Sequence, residues 1–158
     1  MHMPPGHPAL VATGWFTELY GPFGGCPVQL LGRLSTGEHV YFRAREGKVT
    51  LSIAYSEDDA TSREGPHLAD YQLGMKTTED AGLLPHDLCA AIVFVWVAAY
   101  MKEHHDSCPC RLSQAAADKL QALVETYIIR RELDEEDTSK LTRVRRDGFS
   151  KSRATLLP

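Results

Sequence analysis

Four side chains that can bind a metal ion lie within seven residues near position 105. They are His104, His105, Cys108 and Cys110. Imidazole nitrogens and thiolates are the ligands that zinc takes in tetrahedral sites, and His104 and Cys108 share one face of a helix if the helix extends that far. The sequence therefore suggests a zinc site built from His104, Cys108 and Cys110. A distant fourth ligand such as Cys26 or His86 would complete it.

The spacing of the two thiols also supports a simpler interpretation of this segment. Ser107 and Pro109 favour a turn, and Cys-Pro-Cys is tighter than the two-residue spacing usual in zinc knuckles. In this interpretation the histidines stabilise the C-terminus of a helix and the cysteines pack in the turn. The zinc site and the simple turn both stay open.

Cationic and aromatic side chains form a second group, at alternate positions of two neighbouring predicted strands. They are Arg33, His39, Tyr41, Arg43 and Arg45. Arginine binds a carboxylate or phosphate through two parallel hydrogen bonds, and arginine and tyrosine are preferred at interface hot spots. We therefore predict that this group binds a partner, although the solvent face of a one-sided sheet carries polar residues in any case.

The C-terminal residues 138–158 carry six cations and one acid, a net charge of +5. Because the whole chain has a net charge of −4, residues 1–137 carry −9. The basic tail predicts salt-dependent, non-specific nucleic-acid association through Arg143, Arg145, Arg146 and Lys151, since no recognition motif accompanies them. The acidic body favours a basic protein partner, or solubility alone.

Familiar catalytic motifs are missing from the sequence, which has no G-x-S-x-G, H-E-x-x-H, Walker or dinucleotide-binding pattern. Cys89 lies in an apolar run and suits a core better than a nucleophile. We therefore expect a small intracellular binding protein without enzymatic activity. It would be an inhibitor or accessory protein that acts through a protein partner, using its acidic body or the Arg/Tyr sheet face. The zinc protein and the nucleic-acid tail are the alternatives.

Three predicted strands between Val28 and Ala54 must position the cationic group. A tight turn in which Gly47 takes a positive φ sets Phe42 opposite Leu51 and gathers the apolar side chains on one face. A three-residue loop ending at Gly37 sets Leu30 opposite Phe42, which keeps the two faces aligned. Residues 11–20 predict a fourth strand.

Two helices are predicted after the sheet. The first begins near Pro85, runs through the two histidines and is apolar on nearly every side, so it should lie buried across the apolar face of the sheet. Its apolar run of 14 residues, 88–101, is shorter than the roughly 18 that a membrane span requires. Ser113 caps an amphipathic second helix that extends to about Arg131.

The predicted fold is α+β, a three- or four-stranded antiparallel meander followed by a buried and an amphipathic helix packed on one face. We expect residues 1–10 to be a flexible lead-in, 11–133 a single domain, and 134–158 an acidic-then-basic mobile tail.

Residues 55–66 are predicted as a solvated loop, and 67–75 as a short helix or an irregular segment. Residues 1–8 resemble no secretory signal, so we expect a cytoplasmic protein with reduced cysteines and no cofactor other than the zinc considered above.

Overall fold

The computed structural model describes residues 3–75, 80–105 and 110–129, with side chains described as far as residue 126. One antiparallel sheet contains five strands in sequence order: β1 (Phe16–Phe23), β2 (Val28–Leu34), β3 (His39–Arg45), β4 (Lys48–Ala54) and β5 (Ala69–Gly74). The helices are α1 (Pro8–Val11), α2 (Glu57–Thr61), α3 (His86–His104) and α4 (Gln114–Ile129). A single 3-10 turn, Ala81–Leu83, precedes α3. The predicted α+β meander is confirmed, with one more strand than expected.

The predicted register of the central strands is also confirmed. Leu30 pairs with Phe42, and Phe42 pairs with Leu51. Side chains at these positions and at the alternate positions beside them are fully buried, whereas the intervening polar residues are half-buried or exposed. Gly37 has a φ of 107°, as the three-residue loop requires.

The prediction for the tight turn between β3 and β4 is wrong in one respect. The positive φ belongs to Glu46, at 55°, and not to Gly47. The backbone of Glu46 is hydrogen-bonded to the segment before α3. The Glu46 N–H donates to Asp80 Oδ1 at 2.7 Å, and the Glu46 carbonyl oxygen accepts from the Ala81 N–H at 2.6 Å. These tertiary hydrogen bonds override the local preference for glycine.

The segment 67–75 is neither a short helix nor irregular, because most of it forms β5. Val49 of β4 pairs with Leu73, and Leu51 pairs with Tyr71. Pairing with β5 satisfies the backbone groups of β4 that would otherwise be left at a sheet edge. Residues 69, 71 and 73 are also less polar than 70 and 72, which matches the two-residue period of a strand.

The first strand begins later than the predicted residue 11. Thr13 closes a turn after α1: its hydroxyl donates to the Leu10 carbonyl oxygen at 2.6 Å and accepts from the Trp15 N–H at 3.1 Å. Residues 1–10 were expected to be a lead-in. Within the described part of it, Pro5 and Gly6 form isolated bridges beside β1, and Leu10 of α1 is fully buried.

Residues 55–66 contain α2, where the sequence predicts a solvated loop. Ser56 caps this helix by accepting the Asp59 N–H at 3.1 Å, and three acidic residues occupy the first helical turn. A side-chain cap and acidic residues near the positive end of the helix dipole both stabilise a helix start. The short helix packs over β3 and β4.

Helix α3 covers the apolar face of the sheet, and α4 packs against α3. Twelve of the nineteen residues of α3 are buried, as its uniformly apolar sequence predicts. The ring of Trp96 stacks on Tyr71 of β5 with centroids 5.8 Å apart, and Phe94 stacks on Trp15 at 5.3 Å. None of the helices in the described ranges combines the length and the apolar character needed to cross a membrane.

Candidate functional site

The sheet face opposite α3 carries a cleft with a volume of about 480 Å³. Polar side chains of β3, β4 and β5 form its floor, and α2 with the following loop forms its wall. The floor residues are Tyr41, Arg43, Arg45, Glu46, Lys48, Thr50, Ser52, Asp70, Tyr71 and Gln72, and the wall residues are Ala60, Thr61, Ser62, Arg63 and His67. One sheet therefore has a helix-covered face and a second, polar face that forms a concave surface.

His67 fixes the wall of this cleft to its floor. The Nε2 atom of His67 lies 2.9 Å from the Asp59 carbonyl oxygen and 2.7 Å from that of Ser62, and its Nδ1 atom lies 2.7 Å from Asp70 Oδ1. The same Asp70 oxygen accepts from the Ser52 hydroxyl at 3.0 Å. The wall is thus attached to β5 and β4 through side-chain hydrogen bonds.

The charges around the cleft are unbalanced. Its two acidic residues are paired, since Glu46 Oε1 lies 3.5 Å from Arg45 Nε and Asp70 is bonded to His67. No described residue forms an ion pair with any of the three remaining cations, which are Arg43, Lys48 and Arg63. The cleft is therefore positively charged, within a body whose net charge is strongly negative.

Arg43 lies in the cleft floor, on β3, which is the middle strand of the sheet. Its side chain is half-buried, and its Nε atom is buried without a hydrogen-bond partner among the described residues. Buried polar groups nearly always have a partner, because an unsatisfied donor costs about 1–3 kcal/mol. Arg43 therefore has a donor that is withdrawn from water and unused.

The neighbouring Tyr41 has its hydroxyl already engaged, donating to Gln29 Oε1 at 3.2 Å. Burial raises the pKa of Tyr41, and the positive charge of Arg43 lowers it, with a net increase. The phenol therefore remains neutral at physiological pH and is not a base.

Three of the five residues predicted to bind a partner line this cleft: Tyr41, Arg43 and Arg45. Arg33 and His39 lie on the same side of the sheet but outside the cleft lining. Sequence reasoning did not include Arg63 and His67, which come from the chain that crosses over the sheet. The cap at Ser56 and the alternation in 69–73 are sequence signals for the helix and the strand on either side of this crossing segment, but they do not show where the segment lies relative to the sheet.

His104 of the predicted zinc site and the neighbouring His105 both contact other side chains of this chain. His104 stacks on the Tyr100 ring with centroids 4.3 Å apart, and His105 Nε2 lies 2.7 Å from Glu38 Oε2. Cys110 is half-buried, and Cys108 lies outside the described residues. Of the proposed fourth ligands, Cys26 is exposed, and His86 donates to the Gly24 carbonyl oxygen at 2.7 Å.

Within residues 3–75, 80–105 and 110–129, no three His, Cys, Asp or Glu side chains are grouped so that they could hold a metal ion. Because Cys108 is not among these residues, the zinc site stays a prediction. The cationic residues Arg143, Arg145, Arg146 and Lys151 of the predicted nucleic-acid tail also lie outside the described ranges. Their role stays a prediction as well.

A second charged cluster surrounds Glu38 in the loop between β2 and β3. Its carboxylate is 5% exposed and accepts hydrogen bonds from the hydroxyls of Thr36 and Tyr100, each at 2.5 Å, and from His105 at 2.7 Å. Burial alone would raise the pKa of Glu38, but the hydrogen bonds have the larger effect and lower the pKa from its ordinary value of 4.5 to about 2. Glu38 therefore joins the loop to the C-terminal end of α3 as a fully hydrogen-bonded carboxylate.

No family model, curated protein or solved structure matches this chain.

Proposed function

We propose that this chain is a non-enzymatic binding protein, an inhibitor or accessory protein, that acts through a protein partner. In this proposal an acidic group of the partner enters the cleft and pairs with Arg43. The observation that carries the proposal is that Arg43 lines the cleft while its Nε has no hydrogen-bond partner among the described residues, so that a small turn of the side chain would let a ligand anion satisfy this donor. Arginine is also among the residues that contribute most to protein interfaces.

The charge distribution supports short-range recognition of an anionic group. Residues 1–137 have a net charge of −9, so this part of the chain repels a highly acidic partner. However, three cations without described ion-pair partners line the same cleft. This combination favours a partner that presents one acidic group on a neutral or basic surface.

The hydroxyl groups of the cleft favour binding over catalysis. Ser52 donates to Asp70 at 3.0 Å, and Thr61 donates to the Glu57 carbonyl oxygen at 3.0 Å. Both hydroxyl protons are therefore used within the protein. Cys89 is remote from the cleft in the core, where burial raises the pKa of its thiol to about 12. Such a thiol is not a nucleophile at neutral pH.

The proposal places the protein in the cytoplasm, where exposed thiols such as that of Cys26 remain reduced. Reduced thiols form no disulfide bonds, so in this proposal the packing of the sheet and helices stabilises the fold. An intracellular protein of this kind would meet its partner through diffusion, with electrostatic attraction confined to the cleft.

Affinity capture from extracts of the native host tests the proposal. The full chain, Arg43→Gln and the control Lys119→Gln would be compared, since Lys119 is an exposed cation on α4, away from the cleft. We expect the chain and the control to retain the same partner and Arg43→Gln to lose it by about tenfold, a difference of about 1.4 kcal/mol. Equal recovery with all three proteins would contradict the proposal. Thermal unfolding of each variant would show that the comparison is between folded proteins.

A further inference from the structure

We infer that the anionic group recognised by the cleft is a phosphate monoester on a side chain of the partner protein. This inference rests on the proposed function, because it specifies the chemistry of the group that Arg43 binds. It is carried by the number of cations in the cleft, by the type of donor that they offer and by the size of the cleft.

The number of unpaired cations matches a phosphate better than a carboxylate. Arg43, Lys48 and Arg63 line the cleft without an ion pair to any described residue. A carboxylate carries one negative charge on two oxygens, and would leave most of this charge unbalanced. A phosphate monoester carries a charge of about −1.5 to −2 at pH 7 on three acceptor oxygens, so it balances more of this positive charge and accepts more hydrogen bonds than a carboxylate does.

Three hydroxyl donors of the cleft floor are used within the protein. The Tyr41 hydroxyl donates to Gln29, the Ser52 hydroxyl donates to Asp70, and the Thr50 hydroxyl donates to the Arg43 carbonyl oxygen at 3.5 Å. The cleft also offers guanidinium and ammonium groups, which are donors of the kind that recognises phosphorylated and acidic segments.

Arg43 is suited to a bidentate contact. A guanidinium binds phosphate most specifically through two parallel N–H donors in a rigid fork, and lysine cannot reproduce this geometry. In Arg43 the buried Nε–H is one such donor, and it has no partner among the described residues. Because this atom is buried, the Arg43 side chain must turn towards the cleft before a phosphate oxygen can accept from the Nε–H, and that contact would then offset the cost of the unsatisfied donor.

The size and the rim of the cleft favour a phosphorylated side chain over a free ion or a nucleic acid. The volume of about 480 Å³ lies within the range of about 300–1,000 Å³ of pockets that enclose a whole small ligand. A single phosphate ion would leave much of this space unfilled. Glu46 and Asp70 line the same cleft, and together with the acidic body they oppose a polyanion such as nucleic acid.

Fluorescence anisotropy with five dye-labelled degenerate peptide pools tests the inference. The pools differ only in one fixed central residue, which is phosphoserine, phosphothreonine, phosphotyrosine, glutamate or serine. We expect at least one phosphorylated pool to bind about tenfold more tightly than the glutamate pool, because the phosphate adds charge and a third oxygen. Inorganic phosphate should compete, but more weakly than the phosphorylated peptides.

Three variants connect this binding to the cleft. Arg43→Lys keeps the charge but removes the fork, and should weaken binding of the phosphorylated pool by about tenfold. Arg63→Gln, a change at an exposed loop position that does not threaten folding, should also weaken binding. Lys119→Gln removes a cation from the other side of the molecule and should leave the affinity within twofold of the original, an allowance of about 0.4 kcal/mol.

Each alternative outcome overturns a defined part of this account. Equal binding of the glutamate and phosphorylated pools, or of inorganic phosphate and the phosphorylated pools, would overturn the phosphate monoester. Tighter, Arg43-dependent binding of a single-stranded oligonucleotide would also overturn it. If no pool binds but affinity capture still depends on Arg43, the phosphate inference fails and the proposed function stands. If capture does not depend on Arg43, the proposed function itself fails.

Discussion

Glu38 is a buried carboxylate and Arg43 is a half-buried guanidinium with a buried Nε atom, and these two groups differ in what surrounds them. The carboxylate of Glu38 accepts hydrogen bonds from Thr36, Tyr100 and His105. The Nε atom of Arg43 has no partner among the described residues. A buried charge with a full set of partners fixes the structure around it, whereas an unsatisfied donor raises the free energy of the folded state.

The comparison separates a structural cluster from a binding site. Glu38 connects a loop of the sheet to the end of α3, and all the donors that this carboxylate needs come from the same chain. Arg43 lies in a concave surface with two further cations that lack described ion-pair partners. Charges left unsatisfied in a cleft are candidates for ligand contacts, because binding restores the interactions that folding did not provide.

The largest effect on stability is expected from breaking the Glu38 cluster. Glu38→Ala should lower the free energy of unfolding by about 3–5 kcal/mol, because Tyr100, Thr36 and His105 lose their common acceptor within the structure. Urea denaturation measures the change, and Glu18→Ala, at an exposed position of β1, is the matched control. A loss below about 1 kcal/mol would mean that the cluster contributes little, as is usual for exposed pairs.

The same cluster should make the protein sensitive to acid. The pKa of Glu38 is about 2 in the folded state, below the ordinary value of 4.5. Its stabilising contribution is therefore complete above pH 4.5 and is lost as the pH falls towards 2. The difference corresponds to about 3 kcal/mol.

This acid sensitivity is measured by urea denaturation at pH 6 and pH 3, with the original chain and with Glu38→Gln. We expect the original chain to lose more stability than Glu38→Gln over this range, since the amide does not titrate. Parallel losses in the two proteins would assign the acid sensitivity to other carboxylates.

The smallest effect on the free energy of unfolding, and one of opposite sign, is expected from a substitution of Arg43. Arg43→Met keeps an unbranched side chain of similar length and removes the unpartnered donor, so it should raise the free energy of unfolding by about 1 kcal/mol. The same variant should fail to retain the partner or the phosphorylated peptides. Urea denaturation and peptide anisotropy on one sample test both expectations. A clear loss of stability would show that Arg43 has a structural role and would remove the contrast with Glu38.

Much of the fold could be predicted because its signals are local. Alternating apolar residues in 28–54 and the length of the loop at Gly37 determine which face of the sheet is buried, since a one-residue slip would expose every apolar side chain. The uniformly apolar run in α3 predicts a buried helix for a similar reason. These features follow from residue spacing along a few neighbouring positions.

The cleft and the Glu38 cluster depend instead on contacts between distant parts of the chain. The cap at Ser56 and the alternation in 69–73 are readable as local structure, but neither indicates that Arg63 and His67 will lie above the sheet. Likewise, 67 residues separate Glu38 from His105. No local pattern links these positions.

The sequence by itself therefore determined the strand register, the buried helix and the cationic character of one sheet face. Only the tertiary structure decided which cations share a cleft and which carboxylate is satisfied. The physical reason is that periodicity specifies the direction of a side chain relative to its own strand or helix. Partners across the fold are chosen by packing, which brings together positions that are unrelated in the sequence.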